Sequence, residues 1–170
     1  MSAVITADGE YPSISRAQSI GTTRQAERLA AMLREATSHA RKIQTDWRTR
    51  AHELIEIVAL ENSSHGWNGY SARPISPDAK RYAQLFVDNL PFGLPAPDAL
   101  PDPDGDIALC WDFGPGHILT LTFSPDGTIN YAGILGGGVK RHGVEPFCRD
   151  MPKVLLESIE ELRDRAAYTG

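Results

Sequence analysis

From Arg24 to His65 the chain runs without a glycine or a proline, between Gly21 and Gly66. Nothing in that stretch breaks a helix. Its apolar residues follow helical spacing, first Ala26, Leu29, Ala30, Leu33, Thr37 and Ala40, then Trp47, Ala51, Leu54, Ile55 and Val58. Thr22 with Gln25 three residues on reads as a capping box at its start. A helix over residues 23–62 would be about 60 Å long at about 1.5 Å per residue. A compact domain of this chain length has a radius of gyration of about 15 Å. The spacing therefore predicts either a break, near Thr37-Ser38-His39 or Thr45-Asp46, or a helix that projects. A projecting half, residues 22–45, needs a cover for Leu29 and Leu33, and a partner protein or a second copy of the chain would supply it.

The rest of the chain predicts a single α+β domain over residues 22–170, preceded by a loose tail at 1–21. Asn62-Ser63-Ser64-His65-Gly66 ends the first helix. An aromatic loop, Trp67 to Ile75, follows. Ser76 then caps a second helix with Pro77 at its first position, and Ala79, Tyr82, Ala83, Phe86 and Leu90 form its inner face. Residues 91–106 carry alternating prolines and aspartates and read as an extended connection. Three strands come next as an antiparallel meander. Their period-two alternation runs through Leu109, Trp111 and Phe113, through Leu119, Leu121 and Phe123, and through Ile129 and Tyr131, with Gly114-Pro115-Gly116 and Pro125-Asp126-Gly127 as turns. One face of this sheet packs on helices, and the other carries threonines and faces water. Asp150 reads as the cap of a last helix, whose stripe is Leu155, Ile159, Leu162 and Ala166.

Charge narrows the function classes. Residues 1–50 hold eight Lys and Arg against five Asp and Glu, a net of +3, and residues 51–170 hold nine against seventeen, a net of -8. An acidic body disfavours non-specific nucleic-acid binding, which depends on phosphate neutralisation. Cys110 and Cys148 lack disulfide spacing and read as free thiols of a reducing compartment, the cytoplasm. No apolar run reaches the roughly 18 residues that suggest a membrane span.

Several patterns approach known chemistry without completing it. His52 and Glu56 lie four apart on a helix, in reach of one metal ion, but no third ligand is placed. Asp102-Pro103-Asp104-Gly105-Asp106 has its glycine at the fourth position, where a helix-loop-helix calcium loop needs it at the sixth. Cys110 and His117 on adjoining strands, or Cys148 and His142, could form a thiol–imidazole pair. Gly136-Gly137-Gly138 before Lys140, Arg141 and His142 forms the densest basic cluster of the body, suited to a phosphate, a nucleic acid or a protein. Trp67, Tyr70 and Arg73 on the aromatic loop could anchor a partner, although Trp67 and Tyr70 could equally fasten the loop to the core. No catalytic residue, metal or cofactor is assigned.

The run Trp67-Asn68-Gly69-Tyr70-Ser71-Ala72-Arg73-Pro74-Ile75, then a helix, a Leu-Pro, a Pro/Asp-Gly stretch and a strand with a Trp, resembles small bacterial proteins of unknown function. Their loop usually reads Trp-Asp-Gly-Tyr with Pro-Ile soon after. The likeness covers residues 54–160, includes Gly127, Tyr131 and Gly143-Val144-Glu145-Pro146-Phe147, and departs at Asn68. It implies bacterial origin and a shared fold, and no activity. The leading expectation is a non-catalytic module that binds a partner protein and self-associates through its first helix. The alternatives are a nucleic-acid or nucleotide binder using the Gly136–His142 segment, and a small hydrolase with a His/Cys/Asp site.

Overall fold

A computed structural model describes the backbone of residues 16–168 and the side chains of residues 26–38 and 47–168. The chain divides into two units, residues 1–42 and 43–170. Helix α1 spans Arg16–Glu61, α2 Pro77–Asn89 and α3 Lys153–Ala167. Between α2 and α3 lie five strands, β1 Asp98–Pro101, β2 Ile107–Asp112, β3 His117–Phe123, β4 Thr128–Leu135 and β5 Lys140–Pro146. They form one antiparallel sheet in the order β1-β2-β3-β4-β5.

The expected three-stranded meander is therefore too small. β1 lies inside the Pro/Asp connection and pairs Ala99 with Leu109 and Pro101 with Ile107. β5 holds the basic segment that reads as a loop in the sequence, and it pairs Tyr131 with Gly143 and Ile134 with Lys140. Both additions are edge strands. Proline and charge are what edges carry, because they spoil pairing with another chain, and the same residues hide the strand pattern.

Two cap assignments also change. α1 begins at Arg16, within the stretch that reads as a tail, so Thr22 is inside the helix and caps nothing. The rest of that stretch, 1–15, lies outside the described residues. The backbone is helical at both expected break points. The cap of α3 is Pro152, with no side-chain cap bond, and not Asp150. At α2 the Ser76 side chain accepts from the Asp78 amide, as its sequence suggests.

The core of residues 43–170 sits between the helices and one face of the sheet. α2 contributes Ala79, Ala83, Phe86 and Val87, and α3 contributes Leu155, Ile159 and Leu162. Ala51 and Ile55 come from the end of α1. The inner sheet face supplies Leu109, Trp111, Leu119, Leu121, Phe123 and Ile129. Phe86, Phe123 and Phe147 meet edge to face, with ring centroids 5.2 to 6.3 Å apart, a geometry favoured by the ring quadrupole. Trp111 is buried with its indole N–H donating to the Pro95 carbonyl at 2.9 Å. Tyr131 lies over Gly143 on the facing strand; a β-carbon there would come within 2.7 Å of the Tyr131 hydroxyl. An aromatic ring shielding an edge glycine is a known device for pinning register.

Candidate functional site

The aromatic loop is fastened mainly by its own groups. Trp67 donates its indole N–H to the Arg73 carbonyl at 2.8 Å, and the Gly66 amide donates to the Ala72 carbonyl at 2.8 Å. Asn68 Oδ1 accepts the amides of Tyr70 at 2.9 Å and Ala72 at 3.4 Å. Position 68 thus needs an acceptor near its own backbone, which is why Asn or Asp suits it. Outside the loop, the Arg73 amide reaches the Pro103 carbonyl and the Ser76 amide the Gly105 carbonyl, each at 2.8 Å. Gly105, at φ +90°, leaves no room for a side chain, since a β-carbon would lie 2.8 Å from the Pro74 carbonyl oxygen. The near-calcium motif 102–106 is therefore a turn against which the loop is braced. Trp67 is half-buried in this frame, while Tyr70, at 86% exposure, and Arg73 face solvent.

The basic triplet does not converge. Along β5 successive side chains point to opposite faces, so Arg141 leaves on the helix side and Lys140 and His142 on the other. Arg141 donates to Glu161 Oε2 at 3.0 Å, and Arg165 holds Glu161 Oε1 at 2.8 Å. The Arg141 and Arg165 guanidiniums hold the Glu161 carboxyl below the usual range. Gly136, Gly137 and Gly138 all have positive φ and make the turn into β5. A β-carbon at Gly136 would come within 2.5 Å of His117 Nε2, so this glycine gives the imidazole its place.

The Cys110–His117 and His52–Glu56 pairs come apart in the same way. Cys110 pairs with Thr120, whose hydroxyl lies 3.7 Å from its sulfur, whereas His117, three residues before Thr120, points to the opposite face. His52 pairs with Asp88 at 2.8 Å, and Glu56 accepts from Lys80 at 3.1 Å and Gln84 at 2.8 Å. Among the described residues no group of three His, Cys, Asp or Glu could hold a metal ion. Asp106 is the carboxylate raised above its usual range, by burial first, with the Ser124 hydroxyl at 2.5 Å opposing the shift. Beside the aromatic loop, an open groove of about 270 Å³ is lined by Glu56, Ala59, Leu60, Ser63, Ile75, Pro77 and Lys80.

What the structure does present is surface for contact. On α1, Leu29, Met32 and Leu33 are 59%, 67% and 58% exposed. Their spacing puts them on one helix face. On the sheet, the face away from the helices carries Asp98, Cys110, Thr120, Ala132 and His142 in one cross-strand row and Leu100, Ala108, Thr122, Asn130 and Val144 in the next. The leucine stripe is legible in the sequence. The breadth of the open face is not, because it depends on β1 and β5, and Lys140-Arg141-His142-Gly143-Val144-Glu145 carries no apolar alternation that would mark the second of these. No helix among the described residues is long and apolar enough to cross a membrane. Comparison with protein-family models, curated proteins and solved structures finds no match to this chain.

Proposed function

We propose that this chain is a non-catalytic protein-interaction module of a bacterial, cytoplasmic system, and that it grips a partner protein through the Leu29/Leu33 stripe of α1. The exposure of Leu29, Met32 and Leu33 together carries this reading. Apolar side chains in register along a helix are the recognition mode of a helix laid in a groove, and removing such area from water yields about 25 cal/mol per Å². The net charge of -8 over residues 51–170 favours a basic partner protein, whose approach it would steer. The nucleic-acid alternative has less support, since Arg141 is engaged by Glu161.

The test is to recover the tagged chain from its native host beside a Leu29→Glu/Leu33→Glu variant. A stoichiometric companion on the wild type, absent from a variant of equal helicity, is the expected result. A companion that stays on the variant, or a wild-type chain that comes alone, overturns the reading.

A further inference from the structure

In residues 43–170 the helices pack on one side of the sheet, and among the described residues of this unit no helix contributes to a core on the other. Across the middle of that side run the small Cys110, Thr120 and Ala132, and the row beside them carries Asp112, Ile118, Ile134 and Lys140. Its two margins differ in character. Asp98 and Leu100 stand on β1, and His142, Val144 and Lys140 stand on β5. Leu100 and Val144 are 47% and 60% exposed, which leaves an apolar residue on each margin.

We propose that this face docks on the same face of a second copy of the chain, with the two-fold axis running along β3. That axis lays β1 of one copy over β5 of the other, and β2 over β4. Asp98 then meets the second copy's His142, Leu100 meets its Val144, and Cys110 meets its Ala132. Each contact occurs twice, as a two-fold interface requires. A two-fold axis across the strands would instead stack β1 on β1 and bring the acidic margins together. The small central row lets the sheets approach to the usual face-to-face spacing of about 10 Å. The strands hold four, six, seven, eight and seven residues, and at about 3.4 Å per residue and about 4.8 Å between strands they give a face of about 520 Å². Two such faces bury about 1,040 Å², just above the roughly 1,000 Å² a specific interface needs, so the pair is a weak and reversible one. The opposed margins are what select a copy of the same chain over an unrelated acidic or basic surface.

The experiment is sedimentation equilibrium on the full chain and on two charge variants, Asp98→Lys and His142→Glu, with circular dichroism as the check that each is folded. Alone, Asp98→Lys sets a lysine against the margin that holds Lys140, and His142→Glu sets a glutamate against Asp98, so the self-association of each weakens by about tenfold or more relative to wild type. Mixed together, the two remove both clashes. The changed side chains of the two variants face each other at one margin, and the native Asp98 and His142 face each other at the second. A mixed dimer then forms with near wild-type strength. A wild-type chain that stays monomeric at the highest attainable concentration overturns the proposal. So does a mixture no tighter than its components. A dimer that persists in both variants and is lost in Leu29→Glu/Leu33→Glu assigns self-association to α1 and overturns it too. The sheet-face proposal does not use the leucine stripe, so partner capture and this dimer fail independently.

Discussion

The two faces of the sheet are made by the same strands and obey different demands. On the inner face Leu109, Trp111, Leu119, Leu121, Phe123 and Ile129 are at most 1% exposed, and large side chains interlock with α2 and α3. On the outer face the same strands carry Cys110, Thr120, Thr122 and Ala132, with Ile118 and Ile134 in the row beside them and Leu100 and Val144 at the margins. Burial of large side chains sets stability. The outer face contributes little of that, so its residues are free to specify what may sit on it.

The comparison is broken most directly by truncating each face. Trp111→Ala removes a buried indole and orphans the Pro95 carbonyl; it should cost about 3–5 kcal/mol, read as a lower urea midpoint. Thr120→Ala, across the sheet, should stay within about 0.5 kcal/mol. Equal costs would mean that the faces are not distinct. The next largest effect is steric. Gly133 faces the helices, and a β-carbon there would sit 2.6 Å from the Ile118 carbonyl oxygen. Gly133→Ala should cost about 1–3 kcal/mol, while Ala132→Ser, one residue away on the open face, should leave thermal unfolding almost unchanged.

Two carboxylates sharpen the contrast at smaller scale. Glu161 is lowered by Arg141 and Arg165, so its stabilisation is full above the ordinary glutamate range and is lost as pH falls through its folded value. Glu161→Gln should cost no more than about 1 kcal/mol at neutral pH and should flatten the acid limb of the stability profile. Asp106 is raised, by burial, so its contribution is full below the ordinary aspartate range and is lost as pH rises through its folded value. Asp106→Asn should therefore stabilise the chain at neutral pH and steepen its loss in acid. Chemical denaturation across the acid range checks both, and slopes that change in the same direction would refute the assignment.

The residues that announce themselves in the sequence are those with a local cause. Ser76-Pro77 marks α2 because a cap and a fixed φ act within one turn. The alternation through Trp111, Leu121 and Ile129 marks three strands because each buries one face. β1 and β5 are hidden because an edge strand is written in prolines and charges that read as loop. With β5 unseen, Lys140, Arg141 and His142 look like a cluster; only the pleat shows that Arg141 leaves for α3. Asp150 misleads as a cap because Pro152 is the residue that sets the entry to α3. Trp67 is legible as large and special, and its indole bond to Arg73 resolves it toward fastening the loop, while Tyr70 remains outward.

The Asn68-Gly69 step has a consequence in time. Asparagine before glycine is the dipeptide most given to cyclising through the following backbone nitrogen, which loses ammonia and leaves aspartate or isoaspartate. Here the attacking nitrogen donates to the Gly66 carbonyl at 2.8 Å, and Asn68 Oδ1 is held by two amides. The folded loop is thus its own preservative, and chains that age will be those whose loop has opened. The aspartate product keeps the acceptor that the turn requires. The isoaspartate product lengthens the backbone by an atom and cannot present Tyr70 and Ala72 to it in the same way, and the total of the two in old protein is a chemical record of how often this loop has been undone.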